Sequence, residues 1–131
     1  MNLKFKNLWL FIGIIQIGLT FYLCLRPTPQ VIPRIEHLDK LFHFSAYLLL
    51  AGYQFNLLGI HKAKFILIYL MMQGMIIEIL QFFTGYRSFE WLDMMANGAG
   101  ATYAYFFCLG FNTRILNWIE KMTLKNKINI S

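Results

Sequence analysis

Four long apolar runs divide the chain. Leu8–Leu25 holds only Gln16 and Thr20 as strongly polar interruptions. A second run covers Leu41–Ile60, and His61, Lys62 and Lys64 close it. The third, Phe65–Phe83, carries Gln73, Gly74, Glu78 and Gln81. The fourth, Trp91–Phe111, is rich in small residues, with Ala96, Gly100 and Ala104 at four-residue spacing. Each run approaches the roughly 20 residues that a helix needs to cross a hydrocarbon layer. The pattern predicts an all-α integral membrane bundle of four transmembrane helices, at about 8–25, 41–60, 65–83 and 91–111, in one domain over 1–131. Pro27 and Pro29 end the first helix, since proline lacks the amide proton that a helix interior requires. The small residues of the fourth run predict close helix–helix approach. The tail 112–131 is too polar to span. Ile115, Trp118, Ile119 and Met122 fall at helical spacing opposite Asn117, Glu120, Lys121 and Lys125. That suits a short C-terminal helix lying in the interface, and a frayed basic tail fits the same residues equally well.

Composition narrows the class. Of 131 residues 58% are hydrophobic and 14% charged, against about 25% charged in a soluble domain. The balance excludes a disordered chain, a disulfide scaffold and an ordinary soluble domain. The net charge is +6, but the basic residues sit at the ends of apolar runs and form no aromatic-interleaved patch, so no nucleic-acid partner is expected. The first run is longer than a signal-peptide core and lacks a small-residue cleavage site after it, so a retained span is expected. Lys4, Lys6, Lys62, Lys64, Arg114, Lys121, Lys125 and Lys127 fall on one side of the predicted bundle; Arg26, Arg34, Lys40 and Arg87 fall on the other. The positive-inside rule then places both termini in the cytoplasm of a multi-pass protein of the cytoplasmic (inner) membrane, with loops 26–40 and 84–90 outside. Cys24 and Cys108 lie at opposite ends of the bundle, beyond disulfide reach.

Polar groups inside hydrocarbon are costly and usually paired or functional. Here they gather at one end. Asp39, His43 and Tyr47 recur every four residues and share a face of the second helix. Glu78 and Gln81 lie near the end of the third helix, and Asp93 and Asn97 near the start of the fourth. Lys40 and Arg87 supply positive charge, and the fork of Arg87 suits a bridge between Glu78 and Asp93. Asp39 and Asp93 also suit helix N-termini, whereas Glu78, well inside the third helix, is expected not to cap. His43 admits three roles: partner of Asp39 or Glu78, general base, or metal ligand. With no second histidine nearby, neither a metal centre nor a cofactor is expected.

Together these residues form a recognisable set. Asp39-Lys40-x-x-His43-Phe44-x-x-Tyr47, Glu78-x-x-Gln81, Arg87 and Asp93-x-x-x-Asn97-x-x-Gly100 resemble the VanZ-like family of small bacterial membrane proteins, over about half the chain. Ala104 stands where that family often has a second glycine. The resemblance implies a multi-pass cell-envelope protein, with the namesake linked to resistance to the glycopeptide teicoplanin. It also implies that Asp39, His43, Glu78, Gln81, Arg87, Asp93 and Asn97 form the site.

Three functions follow. In the first, an outward-facing polar cleft, lined by these residues with Lys40 and Tyr47, binds an amphiphilic or lipid-like ligand. Its partners are membrane lipids, a lipid-linked envelope precursor or a lipophilic glycopeptide. In the second, the chain is an intramembrane acid–base enzyme on a lipid-linked substrate, with His43, Glu78 and Asp93 as catalytic candidates. The third is a structural or partner-binding subunit. Ser45 points away from the Asp39–His43 face and Ser88 falls on a loop, so the cleft lacks an obvious nucleophile, which disfavours covalent catalysis. Oligomeric state is not encoded legibly.

Overall fold

The computed structural model describes residues 3–27, 38–85, 89–111 and 114–128. These residues are all-α, with no strand among them. The helices are α1 (Lys6–Leu25), α2 (Leu38–Leu58), α3 (Ala63–Phe83), α4 (Trp91–Phe111) and α5 (Ile115–Ile128); a single 3₁₀ turn, Ile60–Lys62, leads into α3. The first four match the predicted runs to within three residues at each end. The tail is helical over Ile115–Ile128.

Cross-helix contacts fix the directions. His43 meets Asn97, and Asn56 Nδ2 lies 3.9 Å from Cys108 Sγ, so α2 and α4 run parallel. α3 runs against both: Glu78 meets Glu90 at one level, and Gly74 meets Tyr47 and Asn97 one turn away. α1 is antiparallel to α2, with the Tyr53 hydroxyl donating to the Trp9 carbonyl at 2.6 Å and Gln81 reaching the Cys24 carbonyl at the far end. The four long helices therefore alternate up and down, and α2 touches every other helix.

The most extensive packing is between α2 and α4. Its closest point is Gly100, where a Cβ would stand 2.2 Å from the Phe44 carbonyl oxygen and 3.0 Å from the Leu48 nitrogen. Only a residue without a side chain lets the two backbones meet there. Around it lie Tyr47, Leu50, Ala51, Ala101 and Ala104, all buried.

Polarity is arranged with apolar groups outward. Phe11, Ile14, Leu49, Phe65, Phe83, Met95 and Phe106 are exposed, while His43, Gln73, Glu78, Gln81, Asp93 and Asn97 are buried. Soluble proteins expose apolar atoms too, but they rarely bury this many ionisable groups while exposing such large side chains. Among the described residues, two helical stretches, Lys6–Leu25 and Ile60–Phe83, are long and apolar enough to cross a membrane. α2 and α4 are as long as α3, but the polar side chains they turn inward lower their average hydropathy.

The starts of α1, α4 and α5 are closed by side chains from other helices. α1 has Phe5 at its N-cap and no side-chain cap of its own. The Glu120 carboxylate on α5 accepts instead from Lys4 N at 2.7 Å, Phe5 N at 2.9 Å and the Trp9 indole at 2.7 Å. Asn56 Oδ1 on α2 accepts from Ile115 N at 2.9 Å, closing α5. Glu78 Oε2 on α3 accepts from Glu90 N at 3.1 Å, closing α4. Each meets one of the amide groups that a helix start leaves without an intrahelical partner. This corrects the expectation that Glu78 cannot cap: lying well inside α3, it closes the start of the next helix.

Candidate functional site

Side chains of α2, α3 and α4 stack in three tiers at the end of the bundle where α2 and α4 begin. The helical repeat builds the stack, because positions four apart lie above one another on one face.

The rim tier is organised by Lys40. Its ammonium lies 2.7 Å from Asp39 Oδ2 and 3.2 Å from Asp93 Oδ1, and it also pairs with Glu90. Lys40 thus gathers three carboxylates; the expected bridge from Arg87 to Glu78 and Asp93 falls on a residue outside the described ones. Glu90 was not among the expected site residues, because it falls in the predicted connection. The legible signal was its place immediately before Trp91, where an acidic side chain favours the helix dipole.

Beneath the rim lie His43, Glu78 and Asp93, one from each helix and all buried. Asp93 joins the two tiers: Oδ1 faces Lys40, and Oδ2 lies 3.5 Å from His43 Nε2. His43 Nδ1 lies 3.0 Å from Asn97 Oδ1. With the amide in this orientation the oxygen can only accept, so Nδ1 carries the proton and Nε2 is the atom turned toward Asp93. One ligand-type atom from each of His43, Glu78 and Asp93 lies within 4.8 Å of the others, a separation compatible with one shared ion.

One turn deeper are Tyr47, Gly74 and Asn97. A Cβ on Gly74 would stand 2.9 Å from Asn97 Nδ2 and 3.1 Å from the Tyr47 hydroxyl. The missing side chain leaves room for both polar groups to converge over α3. The Tyr47 hydroxyl and Asn97 Nδ2 are buried and have no hydrogen-bond partner among the described residues. Such groups are rare in native proteins and call for an explanation.

Of the expected site residues, Asp39, Lys40, His43, Tyr47, Glu78, Asp93 and Asn97 come together. Gln81 turns the other way: its Nε2 donates to the Cys24 carbonyl at 2.8 Å and ties α3 to the end of α1. Among its side-chain atoms, Oε1 has no partner among the described residues.

Neither the curated proteins nor the solved structures gave a match. A family model described as VanZ/LLP1 matches residues 2–116, covering all four long helices and every residue of the three tiers. The chain belongs to the VanZ/LLP1 family.

Proposed function

We propose that the chain is a multi-pass protein of the cytoplasmic membrane in which α1 to α4 all span, both termini face the cytoplasm, and the tiered polar end opens toward the outer leaflet. There it binds the headgroup of an amphiphilic molecule while the apolar outer faces of the helices meet its acyl chains. One observation carries this reading: buried hydrogen-bonding groups without partners, the Tyr47 hydroxyl and Asn97 Nδ2, converge over Gly74 inside a bundle with an apolar exterior. A role confined to helix packing favours mutual pairing of those groups, because each unmet one costs about 1–3 kcal/mol. Lys40 is already engaged by three carboxylates, so the contacts left for a ligand come from the lower tiers.

The test is co-purification. Protein extracted in a mild detergent retains a defined lipid or lipid-linked envelope precursor, identified by mass spectrometry. Tyr47→Phe and Asn97→Leu lower its recovery while leaving the helical content unchanged. Equal recovery of bulk lipid from all three proteins overturns the reading.

A second reading has its own support. His43, held between Asn97 and Asp93, has a fixed ring orientation of the kind that acid–base catalysis needs. On that reading the bound lipid-linked molecule is chemically altered, and incubation with the purified chain gives a product of changed mass.

A further inference from the structure

The rim and middle tiers share Asp93. Asp39, Glu90 and Asp93 form one group that could hold a cation, and the Lys40 ammonium already sits among them. His43, Glu78 and Asp93 form the other, and all three are buried.

The ring orientation of His43 bears directly on this second group. Asn97 Oδ1 holds the proton on Nδ1, so a neutral imidazole turns its Nε2 lone pair toward Asp93 Oδ2 at 3.5 Å. A proton shared between the two atoms, or a metal ion held by both, makes that approach attractive. An outer partner that fixes the non-ligating nitrogen is the usual companion of a metal-bound imidazole. Two ligands on one ion at about 2.1 Å each stand about 3–4.2 Å apart. The three ligating atoms lie within 4.8 Å of one another, so small side-chain movements bring them to coordinating distance.

A second observation comes from the tier directly beneath. Tyr47 is fully buried and Asn97 is 1% exposed, and neither the Tyr47 hydroxyl nor Asn97 Nδ2 has a partner among the described residues. Both converge over Gly74, one turn below Glu78. Polar groups in that position are suited to hydrogen-bond an oxygen on the inner side of a bound ion.

We propose that His43, Glu78 and Asp93 bind one divalent cation of the manganese or zinc class, leaving coordination positions for water or an anionic headgroup oxygen. The imidazole favours these metals over magnesium and calcium, which prefer all-oxygen sites. The ligand class that follows is an amphiphile with a phosphate or carboxylate in its headgroup. The ion lets such an anion enter among carboxylates that would otherwise repel it. This last step rests on the headgroup reading proposed above; the ion site itself does not.

The experiment uses the full chain, purified in detergent, stripped with a chelator and titrated with Mn²⁺ under electron paramagnetic resonance. One Mn²⁺ binds per chain, and pulsed spectra show coupling to a ¹⁴N nucleus of an imidazole. His43→Gln, Glu78→Gln and Asp93→Asn each weaken binding at least tenfold, whereas Asp39→Asn leaves it within about twofold. The ¹⁴N coupling is read on the unaltered chain, so the result stands even if a variant fails to fold. Substoichiometric binding of both Mn²⁺ and Zn²⁺, absence of nitrogen coupling, or an Asp39→Asn loss equal to that of Glu78→Gln overturns the proposal. An amphiphile that co-purifies with a chain unable to bind metal overturns the ion site and leaves the headgroup reading intact. Metal binding without any retained amphiphile does the reverse.

Discussion

The Trp9 indole donates to Glu120 at 2.7 Å and so joins two residues 111 positions apart. The same carboxylate takes the amides of Lys4 and Phe5, so α5 closes the start of α1. Desolvation pushes the Glu120 carboxyl up, but the Phe5 and Lys4 amides, the Trp9 indole and the Lys4 charge together outweigh it and hold the group below its ordinary 4.5. An acid whose value is depressed in the folded state adds stability above its unfolded value and loses it as pH falls through the folded one. The contact is therefore intact at neutral pH and opens only below about 4.5, the ordinary value. Trp9 fluorescence, read with Trp91 and Trp118 replaced by Phe, shifts with a midpoint below that value. Glu120→Gln abolishes the low-pH transition.

Gly100→Ala tests the contact between α2 and α4. Its methyl group would stand 2.2 Å from the Phe44 carbonyl oxygen, on backbone that cannot rotate away. The helices must separate, which costs about 1–3 kcal/mol and more where strain spreads. The melting temperature in detergent falls by several degrees, whereas Gly110→Ala, with nothing within 4 Å of the added carbon, leaves it unchanged or raises it.

Lys40→Met removes the positive charge that gathers Asp39, Glu90 and Asp93. Methionine keeps most of the stem but leaves the carboxylates facing one another. The loss is about 1–3 kcal/mol, because a charged group deprived of its partner keeps its desolvation cost while the partial exposure of the tier screens part of the repulsion. Asp39→Asn in the same chain recovers part of it. Thermal denaturation of the two single variants and the double variant measures the coupling, and full additivity would mean that the pair contributes nothing.

Gly74→Ala acts on the deepest tier. The added carbon lies 2.9 Å from Asn97 Nδ2 and 3.1 Å from the Tyr47 hydroxyl. Both are the ends of side chains, so the bundle still folds, but the space above α3 closes. Retention of a co-purified amphiphile drops several-fold with little change in melting temperature. A large stability loss with undiminished retention would make Gly74 a packing residue alone.

The sequence carried the helices more clearly than the contacts between them. Apolar runs bounded by prolines and lysines located four helices, because length and hydrophobicity are local properties. The four-residue spacings also placed His43 below Asp39 and Asn97 below Asp93, since the helical repeat decides which face a residue shares. The caps were not legible, because Glu120, Asn56 and Glu78 close helices other than their own. Capping rules look three residues away; these partners stand 12 to 116 positions apart. Lys40 could be recognised as nearby charge, but its gathering of three carboxylates depends on how α2 and α4 pack. Gln81 had the right spacing to join Glu78, yet the end of α1 draws it away.

The orientation of the tiers decides which leaflet supplies the ligand, and α3 offers a direct test. Phe83 ends the helix beside the polar tiers, and Lys62 precedes its other end; both are exposed. Cys24→Ser and Cys108→Ala remove the native thiols, after which Phe83→Cys and Lys62→Cys are introduced one at a time. The basic excess at the Lys62 end predicts that it faces the cytoplasm. A membrane-impermeant maleimide then labels the Phe83→Cys chain in intact cells and the Lys62→Cys chain only after permeabilisation. The opposite pattern would place His43, Glu78 and Asp93 beneath the inner leaflet, and the search for their ligand would move to cytoplasmic lipids. Labelling of both positions in intact cells would mean that α3 does not span at all, and the four-span arrangement would fall with it.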